Sequence, residues 1–212
     1  IGIINPKDRT RLIDQLKFLY IMQWIFPNLQ SDQVRDTMEH YQVPESIAKV
    51  MVARGLTELD KTKEFFTPNI SQLHNPFLLK DMNLAVSRIE KAIANNENIL
   101  IYGDYDVDGT TSVSLVASYL KTITTSISTY IPDRYDEGYG ISYQGIDFAA
   151  DNNFSLIIAL DCGIKAIDKV AYATKKKVDF IICDHHKPGD EIPKAYAVLN
   201  PKRVDCTYPY KE

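Results

Sequence analysis

Ile99-Leu100-Ile101-Tyr102-Gly103-Asp104-Tyr105-Asp106-Val107-Asp108-Gly109 decides how this 212-residue chain is read. An apolar run delivers three aspartates at alternate positions, then a glycine, straight into a helical pattern. A short apolar run bounded by an acid is the mark of a strand buried on both faces of a parallel sheet. Asp104, Asp106 and Asp108 would repel one another at its end unless a cation compensates them. Hard oxygen ligands on a rigid strand end suit Mg²⁺ or Mn²⁺; a solvated acidic turn is the alternative. Asp106 and Asp108, two residues apart, face the same side if the chain stays extended.

Two later stretches repeat the pattern. Leu156-Ile157-Ile158-Ala159-Leu160 runs into Asp161-Cys162-Gly163, and Val178-Asp179-Phe180-Ile181-Ile182-Cys183 runs into Asp184-His185-His186. Ligands of open α/β sheets bind outside the carboxyl ends of the strands. Three such strands bring Asp106, Asp108, Asp161, Asp184 and His185 to one edge. The intervening segments predict helices over 110–121, 143–151 and 164–176, with further strands over 126–131 and 195–199. This alternation predicts an α/β fold, a parallel sheet with helices on both faces. A small helical lobe precedes it. Residues 31–68 predict short helices, one opened by Pro44-Glu45-Ser46 and closed at Gly55, another over Glu58–Phe66. Residues 82–95 predict an amphipathic helix with Leu84, Ala85, Ile89 and Ile93 on one side.

Composition is that of a globular chain, 45% hydrophobic and 25% charged. The net charge of −4 argues against a general basic coat for nucleic acid. Acids outnumber bases 16 to 12 in residues 99–212, the motif half, where divalent cations would offset them. Cys162, Cys183 and Cys206 show no paired spacing and read as free thiols of a reducing cytoplasm, with neither a disulfide frame nor a zinc site. No span approaches the ~20 apolar residues of a membrane helix. Leu16–Phe26, the most apolar early stretch, is interrupted by Lys17 and Gln23 and reads as a packing or interfacial segment. Lys175-Lys176-Lys177 reads as a solvated helix end that complements the helix dipole.

The ordered motifs Asp104-Tyr105-Asp106-Val107-Asp108-Gly109, Asp161-Cys162-Gly163 and Asp184-His185-His186 resemble the first three motifs of the DHH phosphoesterase family. Arg134-Tyr135-Asp136-Glu137-Gly138-Tyr139-Gly140 and Val198-Leu199-Asn200-Pro201-Lys202-Arg203 resemble segments of its RecJ branch. The resemblance begins near Met22, so residues 1–21 are expected to be an upstream or appended segment. Residues 22–80 would form the helical lobe and 81–212 the phosphoesterase domain. The resemblance implies a metal-dependent 5′→3′ exonuclease on single-stranded DNA, cytoplasmic and monomeric, acting in recombination and repair. It implies as partners a single-stranded-DNA-binding protein and a recombination helicase.

By the same resemblance, Asp106, Asp108, Asp161 and His185 match ligands for two Mn²⁺ or Mg²⁺ ions, with Asp104 beside them. His186 matches a histidine that contacts the scissile phosphate or helps protonate the leaving group. Asp184 suits either direct contact with the metal or the orienting of an imidazole. Arg134 is either a phosphate clamp or an ion-pair partner of Asp136 or Glu137. Gly138 and Gly140 would let backbone approach a nucleotide, and Tyr139 would stack on a base or pack. Gly109 would offer an amide to an anion, and Arg203 is a weaker phosphate candidate. Tyr102 stands where that branch often carries histidine, so it is not expected at the metal. A fourth motif would lie beyond Glu212, so the chain alone is expected to bind Mn²⁺ weakly and to show little nuclease activity. Two other functions stay open: a phosphoesterase of short oligonucleotides, cyclic dinucleotides or pyrophosphate, and a noncatalytic replication scaffold. Clustered unpaired acids argue against the scaffold.

Overall fold

The computed structural model describes residues 25–211, so the expectations for residues 1–21 and for most of Leu16–Phe26 lie outside it. The chain forms two compact units, Ile1–Leu73 and His74–Glu212. In the first, helices α1 (Ser31–Tyr41), α2 (Glu45–Ala53) and α3 (Leu59–Phe66) fill the span expected to be helical, α2 and α3 at the two segments named there. Val34, Ala48 and Met51 are buried there. Gln42 closes α1 in the left-handed region (φ 52°), and Gly55 follows α2 at φ 70°.

The second unit opens with α4 (Met82–Ala94) and continues β1 (Asn98–Gly103), α5 (Val107–Leu120), β2 (Ile127–Tyr130), α6 (Tyr143–Asp151), β3 (Phe154–Leu160), α7 (Ile167–Lys175), β4 (Asp179–Cys183) and β5 (Ala197–Leu199). The strands form one parallel sheet in the order β2-β1-β3-β4-β5. Strand residues alternate between its faces as pleating requires. Leu100, Tyr102, Ile157, Ala159, Phe180 and Ile182 share a core with residues of α6 and α7, including Ile146 and Val170. Ile99, Ile101, Leu156, Ile158 and Ile181 share the opposite core with α4 and α5, through Ala85, Ala92, Val113 and Ala117. The expected α/β architecture with helices on both faces is therefore present. Among the described residues no helix is long and apolar enough to cross a membrane.

Register places the site. Gly103 pairs with Leu160, Leu160 with Cys183, and Cys183 with Leu199. The next residue of each strand is Asp104, Asp161, Asp184 or Asn200, so four polar side chains start from one row at the carboxyl edge. The chain also reverses its direction of travel across the sheet between β1 and β3, the switch point where such sheets open a crevice.

Two helices start elsewhere than expected. α5 begins at Val107 instead of 110, because Asp106 accepts from the Gly109 amide at 2.9 Å and caps the helix early. α7 begins at Ile167 instead of 164, because the Ile164 amide is taken by Asp184 Oδ2 at 2.9 Å and Gly163–Ala166 forms a turn.

Arg88 of α4 ties this helix to β4 and to the residue that precedes β1. Its Nε donates to Asp179 Oδ2 and its Nη2 to Glu97 Oε2, both at 2.7 Å, with Arg88 only 5% exposed. Burial opposes the Glu97 anion, but bonds from Ser155 and Arg88 outweigh it and hold its pKa below the usual glutamate range. A carboxyl whose folded pKa is depressed contributes stability above its unfolded pKa and loses it as pH falls through the folded value. Arg88→Met is expected to cost about 2 kcal/mol at pH 7, below the ~3–5 of a fully buried pair because both acids reach solvent. Urea unfolding should show that difference narrowing below about pH 4; a difference independent of pH would count against the ion-pair account.

Candidate active site

Asp104 follows β1 directly and is fully buried. Its Oδ1 accepts from the Tyr105 amide at 2.7 Å, while the buried Oδ2 has no hydrogen-bond partner among the described residues. A buried carboxylate oxygen without a partner carries a large desolvation cost, which a cation would offset. Asp106 caps α5 and Asp108 sits in its first turn, both exposed. The extended same-face geometry expected for this pair is not what forms: the strand has already ended at Gly103. The two acids instead flank a helix start beside Asp161. Their charges, after burial, are what raise the Asp161 pKa, against the opposing effect of His185 and His186.

Asp161 is held in the left-handed region at φ 61°, and its amide donates to Cys183 O at 2.8 Å. Such a conformation for a non-glycine residue is a local strain that tends to mark functional sites. The turn swings its carboxylate to His185, with Oδ1 3.1 Å from Nε2. One ligand atom each from Asp161, His185 and His186 lies within 4.8 Å of the others. A buried acid of raised pKa, two imidazoles and two exposed acids make a donor set that fits Mn²⁺ or Mg²⁺.

Asp184, nearly fully buried, is the organiser. Its Oδ1 accepts from the His186 amide at 2.9 Å and lies 2.8 Å from His186 Nδ1, while Oδ2 accepts from Ile164. The pairing keeps a proton on Nδ1 and leaves Nε2 facing outward. Buried Asn200, to which the sequence reading assigned no role, donates from Nδ2 to His186 O at 2.9 Å and fixes the same segment from β5. Asp184→Asn is expected to lower Mn²⁺-dependent activity of the full-length protein by about 10–100-fold, the scale of loss on removing a carboxylate that orients a functional histidine. Cleavage assayed at saturating Mn²⁺ checks this, and unchanged activity would refute it.

The segment from Asp133 to Ser142 arches over the edge. Gly138 and Gly140 both have positive φ (83° and 74°), as the close turn requires. Glu137 secures it: Oε2 accepts from Tyr130 Oη at 2.9 Å and from Ser142 Oγ, and Oε1 from the Asp133 amide. Tyr102 Oη donates to Gly140 O at 2.9 Å and accepts from the Ser142 amide, so this buried tyrosine braces the loop, away from the acids. Arg134 makes neither of the ion pairs offered for it; its guanidinium lies 4.9 Å over the Tyr105 ring. Tyr139 meets Tyr105 edge-on at 5.8 Å and stays half exposed. Burial and then the neighbouring Asp104 push its hydroxyl pKa above the usual tyrosine value.

Two candidates change role. Arg203 is buried, with Nη1 on Asp81 Oδ2 and Val198 O and its other nitrogens on Asp205, all within 2.9 Å. Its fork is filled internally, so it braces β5 and is not a phosphate contact. The Gly109 amide is already given to Asp106. What demands glycine there is contact: a Cβ would lie 2.5 Å from Asp104 O. The three cysteines are free; burial raises the Cys162 pKa and pushes Cys183 up to about 12, so both stay protonated thiols. Lys176, expected in solvent, pairs with Asp147 at 2.6 Å.

A family model described as the DHH family, N-terminal domain, matches residues 98–208. The single-stranded-DNA-specific exonuclease RecJ of Bacillus subtilis is 38% identical over 191 residues, 90% of this chain and 24% of that protein. The protein of the same name from Escherichia coli is 34% identical over 134 residues, 63% of this chain and 23% of its own. The chain thus spans about a quarter of the length of these relatives. A crystal structure of exonuclease RecJ bound to manganese superposes at TM-score 0.59 and 27% identity, covering 66% of this chain and 35% of that one. A Thermus thermophilus RecJ structure with Mn²⁺ gives 0.60 at 24% identity, covering 84% and 25%.

Proposed function

This chain belongs to the DHH family, and from that membership we propose that it supplies the metal-binding half of a phosphodiesterase acting as a 5′→3′ exonuclease on single-stranded DNA. The observation that carries this reading is the row of Asp104, Asp161 and Asp184 at one sheet edge, with His185 and His186 turned into it. Asp106, Asp108, Asp161 and His185 would hold Mn²⁺ or Mg²⁺, which when bound supplies a hydroxide nucleophile and neutralises phosphate oxygens. His186, steadied through Nδ1 by Asp184, aims Nε2 at the phosphate. As imidazolium it donates a hydrogen bond there and passes its proton to the departing alkoxide. Arg134 stacked on Tyr105 keeps its fork free for a backbone phosphate, and exposed Tyr139 offers a face to a base. The names of the relatives support the single-stranded-DNA substrate. Work with a single-stranded-DNA-binding protein and a recombination helicase belongs to this reading, as does a cytoplasmic setting, which the free thiols support.

The test uses the full-length protein with end-labelled single-stranded DNA and Mn²⁺. Progressive release of mononucleotides from the 5′ end is the expected result. Cleavage confined to di- or trinucleotides would replace it with the short-oligonucleotide reading, and no cleavage by folded, Mn²⁺-loaded protein would leave a scaffold.

A further inference from the structure

Tyr139, whose ring is open to a base, is fastened on both sides. Before it, Glu137 accepts from the Tyr130 hydroxyl of β2, the Ser142 hydroxyl and the Asp133 amide. After it, Gly140 O accepts from Tyr102 Oη of β1 at 2.9 Å. Ser142 joins the two ties. Its amide donates to Tyr102 Oη at 3.1 Å and its hydroxyl to Glu137, while its Oγ accepts from the Gly145 amide and caps α6. Tyr102 is fully buried, its ring stacked on Tyr130 with centroids 5.3 Å apart. A Cβ on Gly145 would lie 2.6 Å from Tyr102 Cε2, so α6 closes the space on that side of the ring. Phenylalanine would fill the same apolar place. The hydroxyl of Tyr102 therefore serves the arch: among the described residues it bonds to Gly140 and Ser142 and to no acid of the row.

We propose that Tyr102 is a positioning residue for strand binding. Through Gly140 and Ser142 it fixes the arch that presents Arg134 and Tyr139, and so sets the affinity for a single strand while touching neither strand nor metal. The proposal rests on the exonuclease reading for the identity of that ligand. Its physical basis is preorganisation. Arg134 lies over the Tyr105 ring and Tyr139 meets its edge, so the arch and the turn after β1 come together through these three side chains. Gly138 and Gly140, at positive φ on either side of Tyr139, leave the backbone free to adopt other conformations. The bonds to Tyr102 and Glu137 oppose that freedom. An arch released on one side would have to be ordered each time a strand binds, and that entropy is subtracted from affinity. The acids and histidine assigned to the metal lie on other segments, so a strand once bound is cut at the usual rate.

The test is Tyr102→Phe in the full-length protein, which removes the hydroxyl and keeps the ring. KM and kcat are measured on oligothymidylate with Mn²⁺, and the dissociation constant of a labelled oligothymidylate in EDTA, since KM alone equals affinity only when chemistry is slow. Both KM and the dissociation constant are expected to rise about tenfold, the worth of one lost hydrogen bond, with kcat changed by less than about twofold. Glu137→Gln, which keeps the size but cannot accept from both hydroxyls, should show the same split. The double variant should be no weaker than the worse single one, because either change releases the same arch. Should Tyr102→Phe fail to fold, Glu137→Gln alone carries the test. A role in stability only would lower the unfolding temperature and leave KM in place; that result would overturn the proposal, as would a fall in kcat at unchanged KM. Additive losses in the double variant would also overturn it. If the variants weaken strand binding as stated while the parent cleaves nothing, the hydrolase reading falls and the positioning role stands. If the parent cleaves and the variants match its KM, the positioning role alone falls. Full-length protein that neither binds nor cleaves the strand would end both.

Discussion

Asp161→Asn in the full-length protein is expected to reduce Mn²⁺-dependent cleavage by more than ~100-fold, exceeding the 10–100-fold typical of residues that merely orient a ligand. Asparagine is the informative replacement. Asp161 sits at φ 61°, a conformation asparagine tolerates, whereas alanine would add strain of about 1 kcal/mol and confuse the result. The substitution keeps the bond from its amide to Cys183 and removes only the anion. Burial and the charges of Asp106 and Asp108 already raise this group's pKa, so the metal-free chain should not be destabilised by the change. The two forms should part in Mn²⁺. A ligand that binds only the folded state adds about 2.7 kcal/mol at one hundred times its dissociation constant. Thermal unfolding with and without Mn²⁺ should show that gain in the parent protein and little of it in Asp161→Asn. A full Mn²⁺-induced rise together with retained cleavage in the variant would remove Asp161 from the metal site.

Gly109→Ala is expected to be the most damaging small substitution in the unit that carries the sheet, at about 3 kcal/mol, the upper end for overpacking. The added Cβ would lie 2.5 Å from Asp104 O, 2.7 Å from its N and 2.8 Å from its C, all backbone atoms that no side-chain rotation can clear. α5 would have to lift off the end of β1, taking Asp106 and Asp108 with it and disturbing Asp104. Gly138→Ala is the control: nothing lies within 4 Å of its added Cβ, and its positive φ should cost only about 1 kcal/mol. Urea unfolding of both variants checks the contrast. A cost for Gly109→Ala no greater than for Gly138→Ala would mean that the helix start yields, and that the acid row is less rigid than the contacts imply.

Much of the site was legible along the chain. Runs such as Ile99–Tyr102 and Leu156–Leu160 are apolar on both faces, and a strand of that kind has to be central in a covered parallel sheet. The acids that end these strands follow locally, as does the pairing of Asp184 with His186 two residues on. Helix starts were less legible. Asp106 read as a strand residue, and only its side-chain bond to the Gly109 amide shows that it ends the strand and opens α5. Glu137 carries no local sign of its role, since nothing beside it in the chain announces that Tyr130 and Ser142 converge on it.

Sequence by itself determined the α/β class, the three acid-ended strands and the residue types of the candidate metal site, because hydrophobic period and residue chemistry are properties of neighbouring positions. Tertiary structure alone decided the rest. It set Asp104, Asp161 and Asp184 in one row through strand register and turned Arg203 inward onto Asp81, 122 positions away. A charged side chain becomes a brace or a binding group according to what long-range packing places opposite it, and that partner is not written beside it in the chain.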